Sequence, residues 1–199
     1  MAIKQTLKPY VGKLVSLRKN RAVTNGPLCT KKLAGKNLTY RPVADKNNAK
    51  GCKVTNAIRL SKVGGVQLSR PAVVTCEMAV NPSDWIEDSV QPAAKAAFGH
   101  EVTQVNHLGS YNCRNMRGSP TRLSQHAFAN AFDVAGFQLN DGKRLVIKHE
   151  WDNKGKEQQF WRSIRTRACR NFDLVLSPDF DKRHKDHLHL DAGPYKRCL

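Results

Sequence analysis

The run Asp186-His187-Leu188-His189-Leu190-Asp191 alternates polar and apolar side chains. A β-strand is the element that uses such alternation, because side chains two apart share a face. His187, His189 and Asp191 then project together while Leu188 and Leu190 enter a core. Two imidazoles at this spacing can converge on one ion or on its bound water, with a carboxylate or a backbone carbonyl fixing their tautomers from behind. A fold for this chain must therefore hold a half-buried strand whose polar face meets ligands from elsewhere.

The matching segment is Ser124-Gln125-His126-Ala127-Phe128-Ala129-Asn130-Ala131-Phe132-Asp133-Val134. Seven residues along a straight helix separate His126 from Asp133 by roughly 10 Å, and along a strand by roughly 23 Å, too far for ligands of one ion. The chain must turn back between them, and Ala127, Ala129, Asn130 and Ala131 are small or turn-tolerant enough to allow it. With His189 as third ligand, two imidazoles and a carboxylate leave one tetrahedral position to water. That is the pattern of a catalytic rather than a structural zinc.

A chain of 199 residues fits one domain with decorations. Its net charge of +18, from 34 Lys and Arg against 16 Asp and Glu, makes an anionic partner the expectation. Charge alone does not choose among nucleic acid, lipid headgroups and acidic wall polymers, and no aromatic-rich surface for reading nucleic acid is visible. The six cysteines, Cys29, Cys52, Cys76, Cys113, Cys169 and Cys198, form no Cys-x-x-Cys pair, so disulfides in an oxidising compartment are expected. Fifteen pairings of six cysteines are possible; proximity in sequence suggests Cys29–Cys52, Cys76–Cys113 and Cys169–Cys198. Residues 1–26 are basic, and Lys13 breaks the apolar run from Tyr10 to Leu17, so no secretory signal is visible. No stretch is long and apolar enough to span a bilayer.

Composition divides the chain near residue 50. Residues 1–50 are expected to form a basic, irregular extension ordered only where Cys29 is tethered, and 51–199 the compact domain. Within it Val66–Ser69 suggests a short strand after the Gly64-Gly65 turn, and Pro71 a helix start with a stripe of Ala72, Val73, Val74 and Met78. Asn81-Pro82-Ser83-Asp84-Trp85 carries helix-start chemistry, and Ala93–Phe98 reads as a helix stopped by Gly99, separated from the previous one by Pro92. Glu101–Ser110 has the β-branched content of a strand. Phe132–Leu139 and Lys143–Ile147 flank Asn140-Asp141-Gly142, a hairpin signal. Glu157–Asn171 places Phe160, Ile164 and Ala168 at helical spacing, and Leu174–Leu176 is a short buried strand. Trp85 and Phe98 are expected in the core; His100, His107, His149 and His184 lack a motif and are expected on the surface or in the core. The sum is an α+β fold, a small mostly antiparallel sheet covered by helices.

Ser-x-His-x6-Asp followed by a late His-x-His resembles the zinc signature of the LAS metallopeptidases, which include D-alanyl-D-alanine carboxypeptidases and dipeptidases, peptidoglycan endopeptidases and the hedgehog signalling domain. The run from Gly51 to Asp191 resembles more closely the bacterial extensin-like C-terminal domain family. It does so through Gly65-Val66-Gln67-Leu68-Ser69-Arg70-Pro71-Ala72, Thr75-Cys76, Gln91-Pro92-Ala93-Ala94, Gly109-Ser110-Tyr111-Asn112-Cys113-Arg114, Leu123 to Ala127, Ala129 to Val134 and His187 to Asp191. The resemblance implies a LAS-like zinc fold in which His126, Asp133 and His189 hold Zn(2+). It implies that Arg114 binds substrate or steadies an oxyanion, with Arg117 and Arg122 as competitors, and that Tyr111 and Ser124 line the substrate site. For the general base it offers His187 or Asp186; alternation favours His187, which shares the face of His189. Implied too is a zinc peptidase or amidohydrolase acting on peptidoglycan in the periplasm or cell envelope, drawn to that anionic surface by its charge. A non-catalytic, zinc-containing wall-binding domain is the alternative, and nucleic-acid binding a weaker one.

Overall fold

The computed structural model describes residues 27–199, and the expectations for residues 1–26 lie outside the described residues. Helix α1 (Pro27–Leu33) leads to β1 (Thr39–Pro42), β2 (Lys46–Asn47), β3 (Lys53–Val54), β4 (Ala57–Val63) and β5 (Val66–Thr75). Then follow α2 (Cys76–Trp85), a π-helical turn over Ile86–Val90, α3 (Gln91–Phe98) and β6 (Val102–Gly109). A 3-10 turn over Gln125–Phe128 precedes β7 (Ala131–Leu139), β8 (Arg144–Val146), α4 (Ile147–Glu150) and α5 (Lys156–Ala168). The chain closes with β9 (Leu174–Leu176), β10 (Leu188–Asp191) and β11 (Arg197–Cys198).

The main sheet has nine strands in the order β1-β4-β5-β6-β7-β10-β9-β11, with β8 added to β7. Only the β5–β6 and β9–β11 pairs are parallel. The α+β class is thus as expected, around a larger sheet than the sequence suggested. Of the residues expected to be an irregular extension, α1 packs on α2 and β1 pairs antiparallel with β4. The sheet therefore continues across the compositional boundary near residue 50.

Three local expectations are corrected. The segment after Pro71 continues a strand instead of starting a helix: β5 runs from Val66 to Thr75, burying Ala72 and Val74 with period two. Val73, Val74 and Thr75 are β-branched and suit a pleated surface. Pro71 falls where the pairing of β4 with β5 slips, between Leu60 and Lys62, so no ladder bond loses its donor. The helix begins later, at Cys76, where the Thr75 hydroxyl accepts from the Met78 N–H (3.1 Å). Pro82 lies inside α2 rather than before it, and Pro92 opens α3 without breaking the helical run. The π turn supplies the slack: the Gln91 N–H reaches back five residues to the Ile86 carbonyl, just ahead of a proline with no N–H to give.

Other expectations stand. The Asn140-Asp141-Gly142 hairpin joins antiparallel β7 and β8, with Gly142 at φ +88°, and Gly99 ends α3 in the left-handed conformation. Helix α5 buries Phe160, Trp161, Ile164 and Ala168 against one face of the sheet. There they meet the rings of Trp85, Phe137 and Phe172. Trp85 is fully buried and donates its indole N–H to the Ile164 carbonyl (2.9 Å), while Phe98 packs at the edge of the core against Phe160. His107 is buried on Phe132, and His100 remains exposed.

The cysteines pair as Cys29–Cys76, Cys52–Cys113 and Cys169–Cys198, with Cα separations of 5.4, 5.7 and 5.8 Å. Only the third matches the expected pairing. Nearness in sequence misled for the other two because α1 packs on the start of α2, while the long segment between β6 and β7 returns to the turn between β2 and β3. No helix among the described residues is long and apolar enough to cross a membrane. The Cys52–Cys113 bridge spans 61 residues, a loop whose closure in the unfolded chain is worth about 4 kcal/mol at most. Replacing both cysteines with alanine should lower the unfolding free energy by about 2–4 kcal/mol in urea titrations; an unchanged midpoint would show that the bridge adds no stability.

Candidate metal centre

Strand β10 pairs antiparallel with β7, setting His189 opposite Asp133, Leu188 opposite Val134 and Asp191 opposite Ala131. Two of the three expected ligands are thus cross-strand neighbours on one face. Leu188 and Leu190 fill the core on the other, as the alternation predicts. The third ligand arrives by a reversal. Ser124 caps the 3-10 turn, its hydroxyl accepting from the His126 N–H (3.4 Å), and Ala129 closes it at φ +55°. A left-handed alanine costs on the order of 1 kcal/mol. The surroundings hold it there: the Thr75 N–H donates to the Ala129 carbonyl (2.9 Å), and the Asn130 amide to the Gln125 side chain (3.1 Å) and the Ala192 carbonyl (2.6 Å).

The inner atoms then meet. His126 Nε2 lies 3.2 Å from His189 Nδ1; Asp133 Oδ2 is 3.1 Å from the former and its Oδ1 2.9 Å from the latter. The outer ring nitrogens are engaged elsewhere. His126 Nδ1 is 2.5 Å from the Ser110 carbonyl, and His189 Nε2 is 3.1 Å from Asp191 Oδ2. Protons on those outer nitrogens leave both inner ones as lone pairs, facing each other beside a carboxylate. Three electron-rich atoms that close require a cation among them, whether a proton or a metal ion. The donor set, two borderline nitrogens and one carboxylate oxygen backed by a carbonyl and a second carboxylate, fits a divalent ion.

Without a metal, a proton does this work. Burial opposes charge on His189, but hydrogen bonds to Asp133 and Asp191 outweigh it and push the imidazole up to about 9. Burial likewise opposes charge on Asp133, yet His126 and His189 hold its carboxyl far below the usual carboxylate range. The Asp133 and His187 side chains keep 14% and 12% of their exposure, so the cluster is largely enclosed and meets solvent only narrowly at these two residues.

The remaining candidates separate. His187 precedes β10 but faces the cluster, with Nε2 3.7 Å from Asp133 Oδ1 and Nδ1 2.7 Å from Asp186 Oδ1. Asp186 therefore stands behind His187 and reaches the cluster only through it. Ser124 is buried as a cap, and Tyr111 packs its ring on Val54, Ala57 and Ala129 beneath Lys46. The Arg114 guanidinium donates to the Asn115 carbonyl (3.3 Å) rather than to the cluster. Sequence reasoning missed His184. A 3-10 turn over Lys182–His184 places its ring 5.2 Å from that of His187 and 6.1 Å from that of His189, with Nδ1 2.7 Å from Asp181. Burial holds this imidazole below its ordinary range despite the neighbouring Asp181. The run His184-x-x-His187-x-His189 was the available signal.

A metal must displace the His189 proton. With the folded pKa raised to about 9, divalent-ion affinity should climb by up to about tenfold per pH unit below that value and level off above it. Calorimetric titration in buffers of different ionisation enthalpy should show about one proton released per ion at pH 7. The attraction within the metal-free cluster is fully present below the unfolded imidazole value of about 6.5 and lost as pH rises through about 9, so the apoprotein alone should lose stability over that window. Affinity independent of pH would contradict this electrostatic account.

No curated protein and no solved structure matches the chain. A family model described as Extensin-like protein C-terminus matches residues 27–199, which include every residue of the cluster and all six cysteines. A match over that span shows that the chain belongs to the extensin-like protein C-terminal family.

Proposed function

We propose that this protein is a zinc-dependent peptidase or amidohydrolase that cuts amide bonds in peptidoglycan stem peptides or cross-links. The observation that carries the reading is the buried His126–Asp133–His189 cluster with His187 Nε2 set 3.7 Å from Asp133. The motif resemblance to LAS metallopeptidases supports it. Zinc in such a set acts as a Lewis acid on a scissile carbonyl and makes water nucleophilic near neutral pH.

The chain's own groups do the rest. Ser110 and Asp191 orient the two imidazoles so that no rotamer search precedes binding. Asp186 holds His187 Nδ1 as a donor, which leaves Nε2 as the proton acceptor directed toward the cluster. His187 then takes a proton from the attacking water and returns it to the departing amine. Asp186 steadies the imidazolium formed in between. The three disulfides support a site of action in an oxidising compartment, the periplasm or cell surface. There a +18 chain is drawn to anionic wall polymer.

A metal-bearing, non-catalytic wall-binding domain is the second reading, favoured by the Arg114 guanidinium bonding to the Asn115 carbonyl and, among the described residues, to no member of the cluster. Muropeptide digestion by the zinc-loaded protein separates the two, since only a hydrolase creates new amino termini. His126→Ala should abolish both stoichiometric zinc binding and cleavage. His187→Gln should retain zinc while kcat falls by about 10²–10⁴. Cleavage that survives in the His126 variant rules out the mechanism.

A further inference from the structure

Five large apolar side chains stand exposed among the described residues, and three of them, Met116 (37%), Phe180 (44%) and Tyr195 (39%), lie on loops around the metal cluster. The first loop is the excursion closed by the Asn115–Leu123 bridge and by the Ser124 N–H donating to the Arg114 carbonyl (3.1 Å), and it leads straight into His126. The second, after Ser177, delivers His184 and His187. The third follows β10. The loops are tied together at the rim: the Arg183 guanidinium donates to the Arg117 carbonyl (3.4 Å), and that of Arg122 to the Tyr195 hydroxyl (2.9 Å).

The positive charge is gathered on the first loop, which carries Arg114, Arg117 and Arg122 and no acid; the second sets Lys182, Arg183 and Lys185 against Asp179, Asp181 and Asp186, of which Asp179 is paired with Arg162 and Asp181 with Arg183. The three arginines of the first loop have no acid on that loop, and an anion placed among them offsets their mutual repulsion. Clustered Arg and Lys beside exposed apolar side chains suit a partner that is anionic and partly apolar along one extended chain.

We infer that this rim is a docking surface for an extended acidic peptide, with carboxylates on Arg117, Arg122 and Lys185 and apolar side chains over Met116, Phe180 and Tyr195. The choice of a peptide over another polyanion rests on the hydrolase reading, because the rim opens onto a cluster suited to an amide carbonyl. The charge of the protein then acts at one place and selects substrate, instead of only drawing the protein to a surface.

The test measures binding of a labelled oligoglutamate peptide interspersed with leucine to the metal-free protein, with a glutamine analogue and oligouridylate as comparisons. The combined Arg117→Ala, Arg122→Ala and Lys185→Ala variant should weaken peptide binding about tenfold at low salt and flatten its salt dependence. A control with the same loss of charge, Lys95→Ala, Lys148→Ala and Lys154→Ala, should change it less than about twofold. Arg117→Ala alone, at an exposed side chain without a side-chain partner among the described residues, should weaken binding about threefold and serves if the triple variant does not fold. Equal weakening by both triple variants overturns the proposal, as does tighter binding of oligouridylate or of the glutamine peptide. Rim-dependent binding by a protein that, zinc-loaded, cuts no muropeptide would defeat the hydrolase reading and leave the docking surface standing; muropeptide cleavage with rim-independent peptide binding would do the reverse.

Discussion

The mutual approach of His126, Asp133 and His189 is the constraint around which the rest of the structure is arranged. Two imidazole lone pairs and a carboxylate repel at 3 Å unless a positive charge lies among them. The fold must therefore hold them together against that repulsion. It does so with the β7–β10 pairing for two of them and, for the third, a reversed turn braced from Thr75, Gln125 and Ala192. Disulfides end near the same region: Cys76 follows Thr75, and Cys113 lies three residues after Ser110, whose carbonyl fixes the His126 ring.

The helical layer contributes at a distance. The packing of Trp85, Phe137, Phe160, Trp161 and Phe172 fixes β7 from the face away from the cluster. Position along a strand is set in steps of one residue, and a slip by one would turn Asp133 inward and Val134 outward. The apolar side chains of β7 and β10 are therefore what keep the polar ones in register. Chemistry on one face depends on hydrophobic burial on the other.

Much of the cluster was legible in the sequence because strand periodicity is local. His189 and Asp191 sharing a face, Leu188 and Leu190 in the core, and Asp133 at the start of a hairpin strand all follow from alternation and from the Asn140-Asp141-Gly142 turn. Where local rules conflicted, the reading failed. Pro71 looked like a helix start, but the β-branched residues after it and an existing slip in pairing favoured a strand. Ser124 and Tyr111 are near the site as expected, yet one caps a turn and the other packs against a small apolar cluster. His184 was set aside for lack of a motif, although three-dimensional folding of a short turn brings it beside His187.

What the sequence determined by itself is the identity of the three clustered side chains, the fold class and the strong positive charge, since these depend on residue type and on short-range periodicity. Tertiary structure alone decided the disulfide partners, the placement of Asp186 behind His187 and the gathering of cations from separate loops onto one rim. Those relations join residues far apart in the chain, and the energy that selects among them comes from packing the whole sheet and its helices. No local stretch contains that information.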